Sequence, residues 1–123
     1  MTIKALTPLL IVNSNNYVAT WVSGTASDTG QALDTRDYTD ITVQAFGDFG
    51  DGNVQLQTSN NASDWCIVRD NLGVPVVINS TNYSTGRLLA EHLRYLRWIA
   101  DEDVVSVTVS ANLVRSSTPE IGI

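Results

Sequence analysis

At 123 residues the chain is one domain by size, and its 43% hydrophobic and 16% charged residues describe a folded globular protein. Seven basic residues against thirteen acidic ones give a net charge of −6, which excludes a conventional nucleic-acid binder, because neutralising phosphates needs an excess of Lys and Arg. One cysteine and one histidine exclude a disulfide framework and most Cys/His metal sites, and no apolar run approaches the ~18 residues of a membrane-spanning helix.

The N-terminal segment, residues 1–16, carries one apolar patch, Leu9, Leu10, Ile11 and Val12, directly after Pro8. Thr7 and Pro8 interrupt the run on one side and Asn13 to Asn16 end it on the other, without a small-x-small cleavage signal, so it does not read as a secretion leader. The expectation is a first strand or a partner-docking arm. From Tyr17 to Val22 the residues are β-branched and aromatic, and Gly24 to Gly30 closes that strand with a polar loop. Ile41, Val43 and Ala45 then alternate with Thr42, Gln44 and Phe46, and Val54, Leu56 and Thr58 alternate with Asn53, Gln55 and Gln57. Gly47 to Gly52 between them is rich in residues that tolerate positive φ, which predicts a hairpin-type connection. Trp65–Arg69 and Val74–Ile78 predict two further strands around an Asn71–Gly73 turn.

Gly86 to Ala100 is ambiguous. Leu89, Leu93, Leu96 and Ala100 fall at helical spacing, whereas Leu93 to Ile99 alternates as a strand does. The reading adopted is a short helical turn near residues 88–92 leading into a strand. The last element is the clearest: Val105, Val107, Val109, Ala111 and Leu113 point one way, and Ser106, Thr108, Ser110 and Asn112 the other. Val104 to Arg115 would be ~40 Å long as a strand in a domain of ~14 Å radius of gyration, so it must bend, bulge or overhang. The fold class is therefore all-β, an antiparallel β-sandwich (jelly-roll or Ig-like) of seven or eight short strands over residues 17–115, with 116–123 a C-terminal tail.

The residues show no chemical constellation. His92 is the only imidazole and reads as a packed or surface histidine. Cys66, beside Trp65, has nothing local to lower its pKa and reads as a buried structural thiol. From Asp28 to Asp51 six Asp accompany one Arg, which concentrates most of the negative charge, and Asp101 to Asp103 forms a second acidic cluster. Asp48 and Asp51 offer a fragment of a calcium loop without EF-hand spacing or a bidentate Glu, so solvated turn carboxylates are the stronger reading. No catalytic residue, metal ligand or cofactor is assigned. Six of the seven basic residues are Arg, and Arg87, Arg94 and Arg97 cluster either as a patch for an acidic partner or as internal partners of the Asp-rich half.

Three stretches in order, Ile41–Gly50 with its Gly-x-Phe-Gly turn, Val54–Trp65 with Ser-Asn-Asn before the tryptophan, and Arg94-Tyr-Leu-Arg97 before the alternating strand to Leu113, resemble small structural proteins of tailed bacteriophages. The resemblance implies a virion component of the capsid decoration or cement type, a non-enzymatic homotrimer. It would bind and stabilise the head lattice through the major capsid protein. Its place would be the capsid surface after synthesis in the host cytoplasm, without nucleic acid or membrane as partner. The same motifs also look like discoidin-type jelly rolls, from which Ala62 in place of a turn glycine and the single cysteine depart. The alternative is thus a carbohydrate-binding or receptor-binding module of a tail or fibre, which would expose Trp21, Trp65 or Trp98 where a cement protein buries them. Candidate partner contacts are Leu9, Leu10, Ile11, Val12, Arg94, Arg97, Ile121 and Ile123.

Overall fold

The computed structural model of the chain describes residues 2–7, 10–13, 15–83, 86–89 and 92–115, and of Asn13 and Arg87 only the backbone. Two sheets enclose one core, and the described residues contain no helix. The strands are β1 (Ile3–Lys4), β2 (Leu10–Asn13), β3 (Asn16–Thr20), β4 (Thr29–Gly30), β5 (Leu33–Asp34), β6 (Tyr38–Asp48), β7 (Val54–Ser59), β8 (Cys66–Ile67), β9 (Val77–Ile78), β10 (Arg87–Leu88), β11 (Tyr95–Ala100) and β12 (Ser106–Arg115). The first sheet runs β1-β4-β11-β7-β8, with β5 also on β11 and β9 also on β7; the second runs β10-β6-β12-β3-β2. All pairings are antiparallel except β1 with β4.

The expected all-β sandwich is what the chain forms, and its core follows the period-2 pattern. Ile41, Val43 and Ala45 of β6, Val107, Val109, Ala111 and Leu113 of β12, and Ala19 of β3 face Val54 and Leu56 of β7 and Leu96, Trp98 and Ala100 of β11, all buried. Trp98 sits against Gly24 and Gly30, where a Cβ at either position would overlap its indole ring. The strands are more numerous and shorter than expected. Six of the twelve span two residues, because side chains rather than long ladders hold parts of the first sheet.

Three expectations need correction. Gly47–Gly52 is not a hairpin: β6 belongs to the second sheet and β7 to the first, so the segment is an arch that carries the chain across the core. Phe49 explains the arch, since its ring is buried between the sheets and packs 6.0 Å from Tyr83. Gly47, at φ 128°, takes a conformation that L side chains rarely adopt, and a Cβ there would overlap the Ser106 carbonyl. The helical turn near 88–92 is replaced in its described part by β structure. Arg87 and Leu88 pair with Val43 and Thr42, and the Leu89 N–H donates to the Ile41 carbonyl at 2.9 Å. Docking of β10 along β6 supplies backbone bonds that outweigh the helical spacing of the leucines. The last strand starts at Ser106 rather than Val104. Val104 is buried while Val105 is exposed, and a register shift between Val114 and Arg115 ends the regular ladder.

Candidate functional site

The first surface is the free edge of the second sheet. β2 pairs with β3 on one side, Leu10 opposite Val18 and Ile11 opposite Tyr17, and among the described residues no strand takes its other side. A register shift between Ile11 and Asn13 marks a bulge at Val12. Leu10, Ile11 and Val12 remain 64%, 67% and 55% exposed, so the residues singled out in the sequence form a strand whose apolar side chains lie open to solvent. Leu9, Ile121 and Ile123 lie outside the described residues. Beside this edge Tyr17 meets Tyr38 edge-on at 5.8 Å, and the Arg115 guanidinium lies 5.4 Å from the Tyr17 ring centre. Burial pushes the Tyr38 phenol above its usual pKa, and the charge of Arg115 opposes that shift.

The second surface is a pocket of about 370 Å³ on the outer side of the first sheet, lined by Ile3, Thr29, Gly30, Gln31, Ala32, Ala62, Trp65, Arg97 and Ile99. Alternation along β11 turns Leu96, Trp98 and Ala100 inward and leaves Tyr95, Arg97 and Ile99 on the opposite, half-buried face. Arg97 is directly opposite Gln57 in the ladder, and its Nε and Nη2 both donate to Gln57 Oε1, at 3.0 and 2.8 Å. Its guanidinium lies 4.1 Å from the Trp65 ring centre, a cation–π contact. Burial lowers the Arg97 pKa below the usual arginine value.

The loop that delivers Trp65 is built by its own polar side chains. The buried Ser59 hydroxyl donates to Asn61 Oδ1 at 2.9 Å and accepts from the N–H groups of Asn61 and Ala62 at 3.1 and 3.0 Å. Asn61 Oδ1 also accepts from the N–H groups of Ser63 and Asp64, both at 2.9 Å. This closure puts Ala62 at φ 59°, in the left-handed region where glycine is favoured. Sequence reasoning singled out Arg97 and Trp65 separately but missed Gln57, Ile99 and Ala62 as their neighbours. The alternation of β11 carries the signal that Arg97 and Ile99 share a face; the contact with Trp65 depends on the loop closure.

Other singled-out residues have structural partners. Arg94 reaches Asp34 at 3.7 Å and Arg36 reaches the same carboxylate at 3.4 Å, so these two arginines pair internally with the Asp-rich segment. Asp28 is buried and accepts from the Thr25 N–H and hydroxyl at 2.7 and 3.0 Å and the Thr2 N–H at 3.1 Å, with Lys4 at 3.7 Å. Burial alone would raise its pKa, but these hydrogen bonds and the Lys4 charge outweigh it and hold the carboxyl below the usual aspartate value. Asp48, the last residue of β6, accepts from the Gly50 N–H, and Asp101, just after β11, accepts from the N–H groups of Asn53 and Asp103. Among the described residues no three His, Cys, Asp or Glu side chains converge as a metal site.

Cys66 is exposed rather than buried, because β8 is a two-residue strand at the sheet edge. It lines a cavity of about 170 Å³ that His92 also lines. His92 Nδ1 lies 3.1 Å from both the Thr35 hydroxyl and the Leu93 carbonyl. Of the three tryptophans, Trp21 and Trp98 are buried and Trp65 is half-buried.

No protein-family model and no curated protein matches this sequence. Among solved structures the chain is similar to the SPBc2 prophage-derived protein YomS, with a TM-score of 0.58 at 12% identity over 85% of this chain and 99% of that one. At that identity the likeness establishes a shared fold. Peruvianin-I, a cysteine peptidase from Thevetia peruviana latex, aligns at a TM-score of 0.46 and 11% identity over 82% of this chain and 51% of that one, too loosely to imply a common fold.

Proposed function

We propose that the chain is a non-enzymatic structural component of a phage particle, of the capsid decoration or cement type, and that it fastens through the edge of β2. The observation that carries this reading is the row Leu10, Ile11 and Val12, three consecutive exposed apolar residues on an edge strand that, among the described residues, is paired on one side only and carries no charge and no proline. Proteins protect such edges because they template pairing with another chain. An edge left open in this way is explained by a partner that covers it, pairing with the backbone while its own apolar surface takes the side chains. The fold shared with a prophage-derived protein and the phage-like motifs of the sequence point to the same setting. In this reading the partner is the major capsid protein, the assembled form is a trimer, and the chain resides on the capsid surface after synthesis in the host cytoplasm.

Mixing the purified protein with capsids that lack it tests the proposal. Stoichiometric binding and a raised temperature of capsid disruption are expected. The double substitution Leu10→Asp and Val12→Asp should abolish attachment and leave the circular dichroism β-signal unchanged, because neither side chain belongs to the core. Point substitutions are the right tool here, since deleting residues 1–16 would also remove β1 and its bonds to β4. Failure to bind any capsid, or full attachment by the double variant, would sink the reading.

A further inference from the structure

The cations of this chain are treated unequally. Lys4 has Asp28, and Arg36 and Arg94 share Asp34. Arg69, Arg97 and Arg115 have no carboxylate within 4 Å among the described residues, and of these three only Arg97 is half-buried, the other two being exposed to water. The Arg97 charge is half-buried between an indole ring and a neutral amide, in a pocket whose remaining walls are mostly aliphatic. Withdrawing a charge from water without an opposing charge is costly. The Gln57 oxygen occupies Nε and one hydrogen of Nη2, which leaves the outer fork of Nη1 and Nη2 without a hydrogen-bond partner among the described residues. That fork is the geometry by which a guanidinium takes a carboxylate with two parallel hydrogen bonds.

From this arrangement we propose that the pocket binds the carboxylate-bearing ring of an acidic sugar residue, a hexuronate or sialate unit. Arg97 grips the carboxylate, and the C–H face of the ring lies against Ile3, Ala32 and Ile99. The carboxylate is called for by the half-buried guanidinium without an opposing charge, and the ring by the walls. An Asp or Glu side chain brings one or two methylenes and would leave the aliphatic surface bare, whereas a pyranose covers it and offers hydroxyls to Gln31 on the rim. The volume of about 370 Å³ is at the small end of ligand pockets and suits one sugar unit rather than a length of peptide. The net charge of −6 opposes a densely charged polyanion, so the ligand carries isolated carboxylates. The Ser59–Asn61 closure holds Trp65 against Arg97 before any ligand arrives, so little ordering is left to offset binding. The pocket is on the first sheet and the attachment edge on the second, so this inference stands or falls separately from the proposed capsid role.

Tryptophan fluorescence with saturation-transfer NMR on the full chain tests it, because Trp21 and Trp98 are buried and Trp65 is the indole within reach of a ligand. The probes are the methyl glycosides of glucuronic, galacturonic and N-acetylneuraminic acids, with methyl glucoside as the neutral ring and acetate and a Glu-containing tripeptide as carboxylates without one. At least one acidic glycoside is expected to shift the Trp65 emission saturably and to transfer magnetisation through its ring protons. Arg97→Gln should weaken that binding by about tenfold or more. Gln57→Glu supplies Arg97 with an internal carboxylate and should abolish binding in a folded protein, which keeps the test decisive even where Arg97→Gln disturbs the sheet. Equal affinity for the neutral glycoside, equal or tighter binding of acetate or the peptide, unchanged binding in Gln57→Glu, or no response to any acidic glycoside would each overturn the proposal.

Discussion

In the second sheet β6 and β12 run side by side from Ser106 opposite Asp48 to Val114 opposite Asp40, one continuous ladder flanked by β3 and β10. The first sheet has a single comparable pairing, β11 with β7, and around it five two-residue strands, two of which, β1 and β4, pair in parallel. Its shorter pieces are tied by side chains. Thr58 donates to the Tyr95 carbonyl and accepts from the Leu93 N–H, Thr35 donates to the Leu93 carbonyl, and Asp70 receives the N–H groups of Leu72 and Val74. Strength in one sheet comes from the ladder itself and in the other from buried polar residues at chosen points. The outer pocket belongs to the second kind of construction, because loops closed by side chains can place a tryptophan where a regular ladder cannot.

The contrast has measurable consequences. Trp98→Ala in the first sheet should cost about 3–5 kcal/mol in urea unfolding, since it empties the space beside Gly24 and Gly30. A loss below 1 kcal/mol would mean that the first sheet contributes little to the core. Asp70→Ala should cost roughly 1–3 kcal/mol, because it strips the N–H groups of Leu72 and Val74 of their buried acceptor. Ser110→Ala at the centre of β12, on the outer face of the second sheet, should stay within about 0.5 kcal/mol. Equal costs for Asp70→Ala and Ser110→Ala would erase the distinction between the sheets. Ala62→Gly should stabilise by up to about 1 kcal/mol, as it removes left-handed strain from the Trp65 loop.

The smallest effect is a pH dependence. The Asp28 carboxyl has its pKa lowered in the folded protein, so its contribution is complete above the unfolded value of 3.8 and is lost as pH falls through the folded value. Thermal melts between pH 5 and 2 should therefore show a destabilisation on acidification that is smaller in Asp28→Asn, in which that group no longer titrates. An identical acid profile in the variant would assign the effect elsewhere.

What could be read in advance follows the same division. The alternation of β6, β7, β11 and β12 was visible because both core-facing rows are apolar and continuous, and it correctly implied a sandwich. The arch at Gly47–Gly52 is not legible in the sequence, because Gly and Asp permit a tight reversal and a sheet-to-sheet crossing equally; the deciding residue, Phe49, acts only once a second sheet exists for it to enter. Leu89 and Leu96 are buried, but Leu89 directly follows β10 of the second sheet and Leu96 lies on β11 of the first, so they do not share one helix face. The pocket was half legible. Arg97 and Trp65 stood out individually, while their meeting depends on Ser59 and Asn61 folding the intervening loop back over the sheet.

The short N-terminal strands have a mechanical consequence. β1 lies in the first sheet and β2 in the second, five residues further along the chain. Between them Ala5 and Thr7 exchange backbone hydrogen bonds with Val22 and Thr20 at 2.8 Å. A tug applied at β2 is therefore not borne by β3 alone. Part of the load passes through this stitch to the β3 end and to β4 in the opposite sheet, so both layers resist together instead of one edge peeling away.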